Sequence, residues 1–141
     1  MKTTTEIWYE LYDLGINQGL GILNEKQLCL YNYIDLLYSL EMGGITSFLY
    51  NSIGDNDKFE KYITTLKYFG LHDITEILIQ FSYVFKKTDD GRDENWEDFL
   101  DRTGIADDVE NLDDKILSIV TVEKVDDWIT INYNELVINL E

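Results

Sequence analysis

Apolar residues recur three and four positions apart through most of the chain, the spacing that lines one face of a helix. Ile7, Trp8, Leu11 and Leu14 form the first stripe. Thr3 and Glu6 precede it at capping-box spacing, where each side chain can satisfy a free backbone N–H of the other. The pattern predicts a helix from near Thr3 to Gly15, then a glycine-rich connector to Gly21. Asn24 is the expected cap of a second helix. Leu30, Ile34, Leu37 and Leu40 share one face of it, and Gly43-Gly44 should stop or sharply bend it. A short third helix fits Ile45 to Asn51, with Phe48 and Leu49 inward, and Gly54-Asp55-Asn56 reads as a turn.

Two more capping boxes, Asp57 with Glu60 and Asp73 with Glu76, each open a stripe. The first stripe is Phe59, Ile63, Leu66 and Phe69, closed by Gly70. The second is Ile74, Ile77, Leu78, Phe81, Val84 and Phe85. The short connection between them predicts a central antiparallel helical hairpin. Beyond the charged turn Lys86-Lys87-Thr88-Asp89-Asp90-Gly91, Trp96, Phe99 and Leu100 mark a helix over about Asp93 to Arg102. Ile105, Val109, Leu112 and Ile116 mark another. The last segment, 116–141, has two readings. Ile129, Tyr133, Leu136, Val137 and Leu140 fit a helix, which is preferred. Ile116 to Val122 and Ile129 to Tyr133 are rich in β-branched residues and suit a β-hairpin. The expected fold is all-α, a compact multi-helix single domain over 1–141, with that hairpin as the C-terminal alternative.

Composition adds charge to this picture. The 141 residues hold 28 acids against 11 bases, a net charge of -17. Solubility alone asks for a magnitude of roughly 2 to 8 in a small domain. Residues 1–88 carry 11 acids and 7 bases, a net of -4, and residues 89–141 carry 17 acids and 4 bases, a net of -13. Such a field repels nucleic acid and anionic membranes and attracts basic proteins. The single cysteine, Cys29, has no internal disulfide partner, the N-terminal segment lacks the apolar core of a signal peptide, and no apolar run approaches a membrane span. A cytoplasmic setting is expected.

The motifs of chemistry are missing. His72 is the only histidine, so a Cys/His metal cluster cannot form, and an ordinary surface or capping position is expected for it. Cys29 lies in an apolar helix and reads as an inert thiol. There is no phosphate-binding glycine loop and no serine-hydrolase elbow. Asp55 and Asp57 do not follow the calcium-loop template. Neither a cofactor nor a metal is expected, and carboxylate-pair catalysis is a minor alternative.

The acids themselves are patterned. Glu94, Glu97, Asp98 and Asp101 fall at i, i+3, i+4 and i+7, and Asp107, Glu110 and Asp114 at i, i+3 and i+7, with Asp108 and Asp113 beside them. At about 1.5 Å of rise per residue, the first set places a charge roughly every 3.5 Å of axis. One strand of duplex DNA carries a charge about every 3.4 Å. A solvated acidic face is the plain account of such runs. The functional account is a surface that offers carboxylates where a DNA-binding protein meets phosphates.

One stretch resembles a known family. It reads Glu41-Met42-Gly43-Gly44-Ile45-Thr46-Ser47-Phe48-Leu49-Tyr50-Asn51-Ser52-Ile53-Gly54-Asp55. This is similar to the signature of the bacterial DNA-mimic protein nineteen family, and Leu66 to Leu71 and Ile77 to Phe85 resemble its downstream hairpin. Met42 stands where the family usually has Asn, and Ile45 where it usually has an aromatic residue. The motif's own role reads as architectural, with Gly43-Gly44 allowing a bend and Asn51 or Asp55 capping backbone. The resemblance implies an all-helical acidic protein, dimeric, that occupies the DNA-binding surface of a transcriptional regulator. The expected partner is accordingly a basic DNA-binding protein or, in an antitoxin-like alternative, a basic toxin, without direct contact to nucleic acid or membrane. Asp93, Glu94, Glu97, Asp98, Asp101, Asp107, Asp108, Glu110, Asp113 and Asp114 are the candidate contacts.

Overall fold

The computed structural model describes residues 1–52, 56–84, 96–104, 106–121 and 123–140. Helix α1 (Thr4–Gln18) starts where the capping box predicts. The Glu6 N–H donates to Thr3 Oγ1 at 3.1 Å, and the Thr3 N–H donates to Glu6 Oε2 at 2.9 Å. Its end differs from expectation. Gly15 lies inside the helix, and Gly19 caps it. A Cβ at Gly15 would stand 2.5 Å from the Tyr31 ring, so glycine is there because a helix partner comes close.

A 3-10 turn (Leu20–Ile22) leads to α2 (Glu25–Ser52). Asn24 and Gln27 cap it reciprocally: the Gln27 N–H donates to Asn24 Oδ1 at 2.8 Å, and the Asn24 N–H to Gln27 Oε1 at 3.1 Å. As expected, the helix breaks sharply at Gly43-Gly44, into two arms. Gly43 (φ -171°, ψ 17°) and Gly44 (φ 65°, ψ -161°) leave the helical region. The conformation of Gly44 is essentially closed to residues with a Cβ. The expected third helix is thus the second arm of α2; the side chains of Phe48 and Leu49 lie outside the described residues.

Helices α3 (Asn56–Tyr68) and α4 (His72–Val84) form the central pair. Between them the Leu71 N–H reaches the Leu66 carbonyl at 2.9 Å and the Gly70 N–H the Lys67 carbonyl at 3.0 Å, the two bonds of a Schellman end. Asp73 lies in the first turn of α4 rather than at its cap, and the side chain of Asp57 lies outside the described residues. Helix α4 takes its first bond from Thr75 N–H to the Leu71 carbonyl at 3.1 Å. Helices α5 (Trp96–Thr103) and α6 (Ala106–Ile119) follow, then a 3-10 turn (Glu123–Val125), α7 (Asp126–Ile131) and α8 (Tyr133–Leu136).

The all-α expectation holds among the described residues, where there is no strand. The alternative C-terminal β-hairpin is corrected. The β-branched Ile116 and Ile129 sit in helices and are buried, because packing against the helical core outweighs a weak strand preference. Helix α2 is the hub, touching α1, α3, α6 and α8. Its Leu30, Ile34, Leu37 and Leu40 are buried, as the stripe predicts, with Ile7, Trp8 and Leu11 of α1, Ile63 and Leu66 of α3, and Ile74 and Leu78 of α4. Each such side chain contributes about 1.5–3 kcal/mol on burial.

Polar ties hold the short C-terminal helices to this hub. Buried Gln27 donates through Nε2 to the carbonyls of Leu136 at 3.0 Å and Ile138 at 2.7 Å. Asn24 Nδ2 donates to the Glu135 carbonyl at 2.9 Å. The Lys2 N–H donates to the Tyr133 hydroxyl at 2.7 Å. Trp128 packs edge-on against Phe69 and Tyr68.

Candidate functional site: an acidic face on two helices

Helix α5 carries Glu97 and Asp98 in its first turn, where the helix dipole favours negative charge, and Arg102 in its last. Glu97, Asp98 and Asp101 are all exposed. At about 100° per residue they lie within roughly 100° of arc. The expected inward packing of Trp96, Phe99 and Leu100, like the positions of Asp93 and Glu94, lies outside the described residues.

Helix α6 repeats the arrangement with a verifiable inner face. Asp107, Glu110 and Asp114 are exposed, and Ile116 is buried. The three acids fall within roughly 60° of arc, and Ile116 points about 180° from Asp107. Burial of Ile116 and contact with α2 therefore turn the carboxylates outward. The side chains of Asp108 and Asp113 lie outside the described residues. Six of the predicted contacts are thus placed on solvent-facing surface of consecutive helices. Gly104 separates the two helices, so the acidic surfaces follow one another with a short break.

The other predicted features fall as follows. His72 is exposed at the first position of α4. Cys29 is half-buried, and burial pushes its thiol up, which disfavours the reactive thiolate. Among the described residues no group of His, Cys, Asp or Glu could hold a metal ion, and no helix is long and apolar enough to cross a membrane.

Two arrangements escape acid spacing altogether. Tyr62 of α3 is buried and donates to Asp35 Oδ2 of α2 at 2.6 Å, with Lys61 Nζ 4.0 Å from the same oxygen. Burial, helped by the carboxylate, pushes the Tyr62 phenol well above its ordinary value. The second is a cavity of about 220 Å³ between α1 and α2, lined by Thr5, Trp8, Tyr9, Leu37, Tyr38 and Glu41. Its only sequence signal is the meeting of Trp8-Tyr9 with Tyr38 and Glu41 one turn apart, which becomes visible once the two helices are paired.

Fold and surface together define an all-helical, strongly acidic protein with carboxylates massed on two successive exposed helix faces. The chain belongs to the family of DMP19-like proteins, whose family model matches residues 22–132. That match contains both acidic helices and the Gly43-Gly44 kink. No curated protein and no solved structure matches the chain.

Proposed function

We propose that this protein is a DNA mimic that works by binding rather than catalysis, covering the nucleic-acid-binding surface of a basic regulator. The observation that carries this reading is the exposure of Glu97, Asp98, Asp101, Asp107, Glu110 and Asp114 on consecutive helices inside the family match. Arg and Lys side chains that ordinarily meet phosphates recognise carboxylates through the same charge-assisted hydrogen bonds. The net charge of -17 steers a basic partner toward this face. A helix-turn-helix regulator in the cytoplasm is the partner class that the reading favours, and a homodimer of this chain would double the acidic surface.

A pull-down from native cytoplasm at low and moderate salt, with mass spectrometry, identifies the partner. Calorimetry then compares the native chain with the double variant Glu97→Lys/Asp101→Lys. Both positions are exposed, so the fold should survive. Affinity at low salt should fall by roughly tenfold, equivalent to about 1.4 kcal/mol. An unchanged affinity sinks the assignment of this face.

A further inference from the structure

We propose that the cavity between α1 and α2 is a socket for one cationic side chain, arginine or lysine, projected by the basic partner. This rests on the reading above and adds a specific anchor to a diffuse electrostatic surface. At about 220 Å³ the cavity is smaller than pockets for drug-sized ligands, which start near 300 Å³, and it suits the head of a single side chain.

Its walls differ in character. Trp8 and Leu37 are 4% and 3% exposed, so the interior wall belongs to the packed core. Tyr9 is 58% exposed and Glu41 is exposed, so these two form the rim. Aromatic rings present negative faces to a cation, and a carboxylate at the rim adds a formal charge and two acceptors. An apolar guest would strip water from Glu41 without replacing its hydrogen bonds, whereas a guanidinium or ammonium replaces them.

The walls are also held in place before binding. Tyr38 packs edge-on against Tyr12 at 5.1 Å, and Tyr12 stacks on Tyr31 at 5.3 Å. Trp8 meets Tyr33 edge-on at 6.3 Å. A guest therefore finds formed walls and orders mainly itself. Lys2, the basic residue nearest to the α1 wall in sequence, is committed to Glu10 at 2.7 Å.

The test uses the full chain and a small probe. N-acetyl-arginine amide is titrated at constant ionic strength while the Trp8 indole and the backbone amides of Tyr9, Tyr38 and Glu41 are followed by NMR. N-acetyl-citrulline amide, the neutral isostere, is the control. Saturable shifts at these four residues with arginine, and none with citrulline, are expected. Tyr9→Leu and Glu41→Gln, both at exposed positions, should each weaken the probe about two- to fivefold. Tyr9→Leu keeps the net charge, so its effect separates the socket from general acidity. Equal shifts with citrulline, no saturation, or full affinity in both variants would overturn the socket. The probe needs no protein partner, and Glu97→Lys/Asp101→Lys should leave its shifts intact. The socket can thus fail while the acidic face still captures its partner, and the reverse outcome is equally readable.

Discussion

Tyr33 and Tyr62 are bulky residues placed in the core with their hydroxyls satisfied. Tyr33 donates to the Thr121 carbonyl at 2.7 Å, and Tyr62 donates to Asp35 at 2.6 Å. Burial pushes both phenols above the ordinary 10.0. A raised pKa in the folded state means that the unfolded chain ionises first. Their contribution is therefore complete below pH 10.0 and is lost as pH climbs above it toward the folded values. Urea denaturation above pH 10 should show stability falling by up to about 1.4 kcal/mol per pH unit for each group. The double variant Tyr33→Phe/Tyr62→Phe should have a flatter alkaline slope, and an unaltered slope would count against this account. Gly15 carries a different lesson at the same scale. In sequence it looks like a helix terminator, yet its role is to leave room for the Tyr31 ring. No local pattern distinguishes a glycine that ends a helix from one that admits a neighbour.

At the scale of elements, capping chemistry was legible at the first two helices, whereas the box read at Asp73 and Glu76 opens inside the first turn of α4. Thr3 with Glu6 marks the start of α1, and Asn24 marks the start of α2 with Gln27 as its reciprocal partner. Both are local hydrogen-bond arrangements within four residues, so the sequence contains them whole. The Gly43-Gly44 bend was also legible, as was the helical segment beyond it, expected over Ile45 to Asn51. Gly44→Ala should cost about 1–3 kcal/mol, because φ 65° with ψ -161° forces a Cβ into a region it avoids. Urea denaturation of that variant checks it, and an unchanged midpoint would mean that the kink relaxes without strain. The C-terminal elements show the opposite case. Helices α7 and α8 have 6 and 4 residues, too short to persist alone. They are held by Gln27, Asn24 and the Trp128 contacts, which lie far away in sequence. That distance is why β-branched composition left a hairpin open there.

For the whole molecule, the charge works against folding while it favours binding. Glu97 with Asp101 and Glu110 with Asp114 are like charges at i, i+4, each costing about 0.2–0.5 kcal/mol in an isolated helix. Salt screens this repulsion, with a Debye length falling from about 30 Å at 0.01 M to about 8 Å at 0.15 M. The melting temperature should therefore rise over that range, while affinity for a basic partner falls. Thermal melts and calorimetry in the same buffers check the opposed signs. A melting temperature insensitive to salt would show that the acidic faces carry little net repulsion.

Periodicity, capping spacing and charge placement are local, and from them the sequence by itself determined the helical class, most helix starts, the leucine-rich face of α2 and the acidic runs after Thr88. Tertiary structure decided what depends on distant neighbours. It turned Gly15 into a packing contact and folded the C-terminal segment onto the start of α2. It set the acids of α6 outward by burying Ile116 against the core. It also brought Trp8 and Tyr9 to Tyr38 and Glu41 across a helix pair. Pairing of α1 with α2 gives this helical acidic chain a place where one positive side chain can be held.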